Sequence, residues 1–391
     1  GVTLSTRLGL DLVKLLTMDK TSTFGEFADA TISIPLLRGA GRDIAREPLT
    51  QAERNMIYAM WEFEQFKKSF AVNVARAYLR ILEREKQIQN AEANYRSIIE
   101  TRKRVEDMGK AGRISQTGVD QARQNELQAQ NSLIATRQSL EAQMDSFKMT
   151  LGIPVDARIE LEASELSRLS EETLSRLAEE ATLSEADAEA QAAQYVLIAL
   201  ENRLDLKTVK SRYEDAMRKV KVATDALDPS MRLLIRGSTR RTDSGVSFGD
   251  GVSYSALLSL DMPWDKTQER VACRMSLIAL RNAERAIEEK EDEIKQALRS
   301  AARKIVELGQ TYQIQKLSVA LAATRVESTN MFVQAGSAQI RDLLDAQEDL
   351  VAAQDNLVSA VVSYHLETLN LQRNLELLEV DEKGIWRIDE S

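Results

Sequence analysis

Thr31-Ile-Ser-Ile-Pro35 and Leu257-Leu-Ser-Leu-Asp-Met-Pro263 are two alternating segments that end in proline, and each precedes a very long helical pattern. Each long pattern ends at an alanine-glycine pair, Ala111-Gly112 in the first case and Ala335-Gly336 in the second, and a shorter helical pattern follows. The offset between the two copies is 228 residues at the prolines and 224 at the glycines. A nearly constant offset predicts a duplicated unit made of strand, long helix and shorter helix.

The composition favours long helices that pack side by side. The chain has 391 residues but only five prolines and sixteen glycines, with 29% charged and 5% aromatic residues. The net charge of −9 argues against a nucleic-acid partner. The single cysteine, Cys273, excludes a disulfide framework or a cysteine metal site. No phosphate loop, Ser-His-Asp set or metal-ligand spacing is found, so we expect no enzyme, no cofactor and no bound metal.

Four segments alternate between apolar and polar residues: 3–12, 30–36, 231–239 and 253–263. Segments of about ten residues with one apolar and one polar face are typical of transmembrane β-barrel strands, with lipid outside and water inside. An amphipathic hairpin on a soluble protein fits these segments equally well. We expect residues 13–29 and 240–251 to form the loops within the two hairpins.

The helical patterns are long and complementary in length. Residues 43–108 and 265–334 each predict a helix of about 66 to 70 residues, which would span roughly 100 Å. Residues 195–227 and 340–378 predict shorter helices, so one long helix can lie beside two short ones placed end to end. Two adjacent apolar lines run along the last helix, which indicates neighbours on both sides. The lines are Leu343, Leu350, Leu357, Val361, Tyr364 and Leu371, and Ile340, Leu344, Val351, Val358 and Val362.

These patterns divide the chain into seven predicted segments. The first copy supplies a β-hairpin and a helical hairpin, a linker follows, and the second copy adds a leading helix before its own two hairpins. The predicted segments are 1–38 (β-hairpin), 39–152 (helical hairpin), 153–194 (linker), 195–229 (leading helix), 230–263 (β-hairpin), 264–380 (helical hairpin) and 381–391 (tail).

The order and the junction residues resemble the TolC-like outer membrane efflux proteins. Ile34-Pro35 and Met262-Pro263-Trp264 resemble the family's barrel-to-helix junctions. Ala199-Leu-Glu-Asn-Arg-Leu-Asp-Leu206 is similar to its helix start, and Gly336 with Ile340-Arg-Asp342-Leu-Leu-Asp345-Ala346 resembles its tip signature. The resemblance covers essentially the whole chain. Because the family has a leading helix in both repeats, it implies that the first copy here is incomplete at its N-terminus.

The resemblance implies a homotrimer in the outer membrane of a Gram-negative-type bacterium, extending into the periplasm. Its fold would be mainly α with membrane β, namely a twelve-stranded barrel in outer-membrane lipid continued by an α-helical barrel. It would conduct substrates passively from a periplasmic adaptor and an inner-membrane transporter. Gly112 and Gly336 would form the periplasmic tip turns, and Pro35, Pro263 and Trp264 the junctions.

Asp342 and Asp345 are the candidate residues of the channel constriction. They lie three residues apart on one helix face, close to Gly336. In a trimer they would form rings of carboxylates that favour cations. An ordinary solvated acidic face is the alternative.

The first copy lacks this acidic pair, because Gly118 and Gln121 stand at the equivalent positions. Gly118, Val333 and Ala338 also fall where the resemblance implies side chains that hold the tip closed. Either other groups hold it closed, with Arg341 and Arg113 as candidates, or the resting tip is looser. Two other classes of protein remain open from the residues alone: a structural coiled-coil protein without a pore, and a periplasmic adaptor.

Overall fold

The computed structural model describes residues 1–13, 23–161, 185–242, 252–381 and 386–388, and most of them are helical. The helices are α1 (Arg42–Lys110), α2 (Gln116–Thr150), α3 (Glu185–Asn202), α4 (Leu204–Asp225), α5 (Thr267–Gln334) and α6 (Ile340–Asn374). The strands are β1 (Thr3–Val13), β2 (Thr23–Pro35), β3 (Ser230–Thr242), β4 (Val252–Asp261), β5 (Leu378–Val380) and β6 (Trp386–Ile388). None of the described helices is long and apolar enough to cross a membrane.

The first four strands form one antiparallel sheet in the order β1-β2-β3-β4. The prediction of a loop over residues 13–29 was wrong for its second half, because β2 begins at Thr23, which pairs with Val13. The ladder between β2 and β3 joins the two halves of the sequence, with Gly25 opposite Thr242 and Pro35 opposite Arg232. A hairpin from each half of the chain therefore contributes to a single sheet.

One face of this sheet is apolar and the other is polar, along rows of paired residues that cross all four strands. One row contains Leu4, Ile32, Ile235 and Ala256, and the neighbouring row on the opposite face contains Ser5, Thr31, Arg236 and Ser255. The apolar face is not covered by any described part of the chain, since Leu4 is 67% exposed and Leu258 is 58% exposed. A sheet that folds against a hydrophobic core would bury these side chains.

The chain divides into two compact units. The first comprises Gly1–Glu62 and Asp205–Lys290. Its helices α1 and α4 are joined around the buried Asp215 carboxylate, which accepts hydrogen bonds from Tyr58 (2.7 Å), Gln51 (3.1 Å) and Arg218 (2.6 Å). Burial alone would raise the pKa of Asp215, but these hydrogen bonds outweigh it and the net pKa is lowered. A buried but ionised carboxylate therefore fixes the register of the two helices.

The second unit comprises Phe63–Leu204 and Glu291–Ser391. In it, α1 and α6 run antiparallel around apolar contacts such as Leu82 with Val362. Polar pairs recur along the same interface at intervals of about two turns. The pairs are Lys68 with Glu376 (2.6 Å), Arg76 with Asn370 (3.0 Å), Glu83 with Ser359, Asn90 with Asp355 (2.8 Å) and Ser97 with Gln347 (3.0 Å). A one-residue shift would break all of them, so the pairs define the register.

Helix α6 ends earlier than the sequence predicted, at Asn374 instead of residue 378. Glu376 adopts a left-handed backbone conformation with φ of 62°, and Leu377 N–H bonds to the Gln372 carbonyl at 3.1 Å, which closes the helix end. Glycine usually takes this position, as Gly152 does at the end of α2. Glu376 is held there by Lys68, whose ammonium contacts its carboxylate at 2.6 Å and its carbonyl at 3.1 Å.

Two further expectations need correction. The single helix predicted over residues 195–227 is divided at Arg203 into α3 and α4, and α3 begins earlier, at Glu185. The predicted tail contains β6, which pairs with β5 as a short hairpin, with Leu378 opposite Ile388. Most of the linker predicted over residues 153–194 lies outside the described residues.

The Lys68–Glu376 pair makes a specific stability prediction. Lys68→Met should leave the Glu376 carboxylate, whose side chain is 8% exposed, buried without its counter-charge, at a cost of about 3 kcal/mol. The midpoint of thermal unfolding should fall by several degrees. The adjacent Lys67→Met is the matched control, because Lys67 pairs with Glu64 at the surface and such pairs contribute about 1 kcal/mol or less. Equal shifts in the two variants would contradict the assigned role of the buried pair.

Candidate functional site

The two predicted tip turns have the same backbone structure. Gly112 and Gly336 have φ of 72° and 74°, a left-handed conformation that glycine adopts without strain. Arg113 N–H bonds to the Met108 carbonyl and Ser337 N–H to the Phe332 carbonyl, each at 2.9 Å. These bonds satisfy the last carbonyls of α1 and α5 and reverse the chain into α2 and α6. Both helical hairpins therefore end in one type of turn.

The ends of the four helices meet in one apolar cluster. Its buried members come from all four helices: Val105 from α1, Val119 and Ala122 from α2, Val333 from α5, and Ile340, Leu343 and Leu344 from α6. Ile114, Val326 and Ala338 pack against it. Val333 and Ala338, at which we expected bonding side chains, therefore belong to this apolar cluster. Hydrophobic burial joins the two hairpins at their turns within one chain.

The two turns differ in how the following helix begins. In α2, the Ser115 hydroxyl accepts the Gly118 N–H at 3.3 Å and so caps the helix. In α6, the Asp342 carboxylate accepts the Gln339 N–H at 3.1 Å, which is the reverse half of a capping box. Asp342 therefore has a structural role that the sequence reasoning did not assign. Gly118 stands at the equivalent position of the first hairpin. It has no capping role, because the Ser115 hydroxyl caps α2.

Both candidate aspartates lie on exposed positions of α6. The Asp345 side chain is 56% exposed, and one of its oxygens lies 3.7 Å from Arg341 Nε in a weak ion pair. Arg341, one of the two arginines considered for closing the tip, therefore partly offsets this charge. The neighbouring Leu343 and Leu344 are buried in the cluster, which fixes the outward direction of the acidic face.

Two features of the first hairpin were missed by the sequence reasoning. Glu106 accepts hydrogen bonds from Arg123 of α2 (2.9 Å) and from Arg102 of its own helix (2.8 Å), which lower its pKa. Gly109 is in close contact with α2, because an added Cβ would lie 2.7 Å from a Val119 methyl carbon. The four-residue spacing of Arg102 and Glu106 could have indicated the first feature. The second depends on the packing of two helices and leaves no local signal.

The junction residues lie where the strands end. Pro35 is the last residue of β2, and Leu36 N–H continues the pairing by bonding to the Met231 carbonyl at 2.8 Å. Pro263 and Trp264 follow the end of β4 at Asp261, and the Trp264 side chain is fully exposed. An exposed tryptophan at the end of an apolar sheet face is typical of a membrane–water interface.

The sequence matches the model of one protein family, described as outer membrane efflux protein, over residues 196–375. The matched range begins in α3 and includes β3, β4, Gly336 and both candidate aspartates. The resemblance to TolC-like outer membrane efflux proteins is therefore confirmed. No curated protein matches the chain by sequence.

Solved structures of outer membrane proteins and transmembrane channels share the fold at low sequence identity. CusC, described as forming a transmembrane channel, is 16% identical with a TM-score of 0.72 over 96% of this chain and 83% of its own. The outer membrane protein VceC of Vibrio cholerae is 14% identical with a TM-score of 0.71 over 96% and 86%. The outer membrane channel CmeC of Campylobacter jejuni is 12% identical with a TM-score of 0.71 over 96% and 77%. These matches extend the shared fold to the first half of the chain.

The capping role of Asp342 can be tested apart from its charge. Asp342→Ala removes the acceptor for the Gln339 amide and should cost about 1 kcal/mol locally, so hydrogen exchange at the start of α6 should accelerate about fivefold. Asp342→Asn keeps an acceptor oxygen and should change exchange less. Asp345→Ala is the control, because Asp345 accepts no cap hydrogen bond in the structure. Acceleration by Asp345→Ala equal to that by Asp342→Ala would contradict this assignment.

Proposed function

We propose that this chain is the outer-membrane exit duct of an export system and acts as a homotrimer. Substrates would pass from a periplasmic adaptor and an inner-membrane transporter to the exterior by passive conduction. The family of residues 196–375 and the channel fold support the duct, and the uncovered apolar sheet face supports its place in lipid. The observation that carries the proposal most directly is the open four-stranded sheet.

The sheet would close by combining several copies of the chain. Among the described residues, β1 and β4 each have one paired neighbour, so their outer edges are open. Unpaired backbone groups at a sheet edge are not tolerated in lipid. Because the sheet has an even number of antiparallel strands, β4 of one copy can pair antiparallel with β1 of the next. Two copies would give a barrel that side chains nearly fill, whereas three would give twelve strands and a wider lumen.

The remaining segments take their roles from this arrangement. Residues 1–38 and 230–263 would form the barrel in the outer membrane, and residues 39–152 and 264–380 the helical tunnel in the periplasm. Helices α3 and α4, which replace the single leading helix predicted over residues 195–229, would complete the tunnel wall.

Asp342 and Asp345 would form carboxylate rings where the tunnel narrows at the Gly112 and Gly336 turns. Both side chains point away from the apolar cluster and are exposed in a single chain, which supports a position facing the lumen. Rings of carboxylates favour cations and oppose anions. Arg341 would moderate the field of Asp345.

A soluble coiled-coil protein accounts less well for the same structure. In a soluble protein, nothing would cover the apolar face of the sheet, which is exposed along rows that cross four strands. A periplasmic adaptor is disfavoured by the channel fold, which extends over 96% of the chain.

The proposal is tested by extracting the full chain from membranes with detergent and reconstituting it in planar bilayers. Native mass spectrometry should give three chains per complex, and the bilayers should show steady single-channel currents. A monomer that is soluble without detergent and produces no current would refute the duct.

The constriction predicts a change in ion selectivity. Asp342→Asn combined with Asp345→Asn removes both charges while keeping an acceptor for the α6 cap, so the preference for cations should fall several-fold. The control is Glu284→Gln with Glu288→Gln, which removes two exposed charges from the first third of α5. Equal loss of selectivity in the two double variants would rule out a constriction at the turns.

A further inference from the structure

A polar cavity of about 250 Å³ lies at the start of α1, between α1 and α4, within the unit of Gly1–Glu62 and Asp205–Lys290. Its lining is strongly charged and contains four cations and two carboxylates. These residues are Arg42, Asp43, Arg46 and Glu47 of α1 and Arg218 and Lys221 of α4. The proposed duct assigns no role to these charged residues.

Two of the four cations are already neutralised. Arg218 donates to the Glu47 carboxylate at 2.9 Å and to the Asp215 carboxylate at 2.6 Å. Lys221 donates to the Asp43 carboxylate at 2.6 Å, and this contact lowers the pKa of Asp43. Both carboxylates of the cavity are therefore paired with a basic side chain of the same chain. They would repel an anion that enters the cavity only weakly.

Arg42 and Arg46 carry the excess positive charge of the cavity. Neither guanidinium takes part in an ion pair within the part of the chain that the structure describes. They are four residues apart on α1, so their side chains lie on one helix face. Two neighbouring guanidinium groups can hold one phosphate through several charge-assisted hydrogen bonds.

Along the sequence, the cavity residues of α1 lie close to the end of the sheet. Helix α1 begins at Arg42, seven residues after β2 ends at Pro35. The intervening segment is tied to the sheet, because Leu36 and Arg38 donate backbone hydrogen bonds to the Met231 and Pro229 carbonyls at 2.8 and 3.2 Å. Exposed apolar side chains, including Leu36 and Trp264, occupy the same junction. In a membrane-embedded barrel, this is the depth of the lipid headgroups.

We propose that Arg42 and Arg46 form a phosphate-binding site that holds the headgroup of an anionic phospholipid at the junction between sheet and helices. The site rests on the proposed function, because only a barrel in the membrane brings the cavity to headgroup depth. Basic pockets at this level bind anionic lipid through the phosphate group. A free phosphate ion shares this chemistry and would bind without a membrane.

The test uses the full chain in detergent, titrated with phosphatidylglycerol and followed by native mass spectrometry. Arg42→Gln with Arg46→Gln should weaken binding of the lipid about tenfold. Arg42→Lys with Arg46→Lys keeps both charges and should bind more tightly than the glutamine pair. The matched control is Arg299→Gln with Arg303→Gln, an exposed pair of arginines with the same spacing in α5, and it should bind like the unmodified chain. Equal lipid affinity in the glutamine pair and the control overturns the site.

Two further measurements separate the possible explanations. Inorganic phosphate alone is tested by its effect on thermal unfolding, and a stabilisation that the glutamine pair loses, without any change in lipid affinity, would assign the site to free phosphate and overturn the lipid. Subunit number and single-channel current are measured for the same samples. An unmodified chain that forms no conducting trimer refutes the duct, whereas conducting trimers in which the glutamine pair keeps its lipid affinity refute only the lipid site.

Discussion

The open edges of the β1-β2-β3-β4 sheet are the constraint on which this account depends. The sheet has one apolar face that the chain leaves exposed and two edge strands that each lack a second neighbour among the described residues. Lipid can cover the apolar face, but it cannot satisfy the backbone groups of β1 and β4. Only further strands can pair with these backbone groups. The proposed membrane location and the proposed assembly of several copies therefore both follow from the open, apolar sheet.

The helices meet a different requirement, which is to keep a fixed register over a great length. A purely apolar interface between long helices would allow alternative alignments. In the second unit, a series of polar pairs aligns α1 with α6. The series begins with Lys68 and Glu376 and ends with Ser97 and Gln347. In the first unit, the ionised Asp215 plays this part between α1 and α4. The left-handed conformation of Glu376 is stabilised by the same Lys68 contact that defines the register.

Local patterns in the sequence predicted the helices, strands and turns well, whereas they did not predict features that depend on contacts between elements. Proline and glycine placed the strand ends and the turns at Gly112 and Gly336, because each acts through its own backbone. The start of β2 at Thr23 was missed, since it depends on pairing with Val13. The end of α6 was missed because Glu376 takes a position suited to glycine only with help from Lys68, about 300 residues away. The cap by Asp342 and the close approach at Gly109 likewise depend on three-dimensional contacts.

Disulfide cross-linking between the edge strands tests the central claim most directly. In a chain with Cys273 replaced by alanine, Ser5→Cys on β1 is combined in turn with Ser253→Cys, Ser255→Cys and Ser259→Cys on β4. Strands β2 and β3 separate the two edges of one chain by roughly 14 Å, beyond the reach of a disulfide, so any bond must join two chains. We expect oxidation in membranes to give a covalent trimer with at least one pair and no larger species. Monomers with every pair, or a ladder that continues beyond three chains, would contradict the closed barrel.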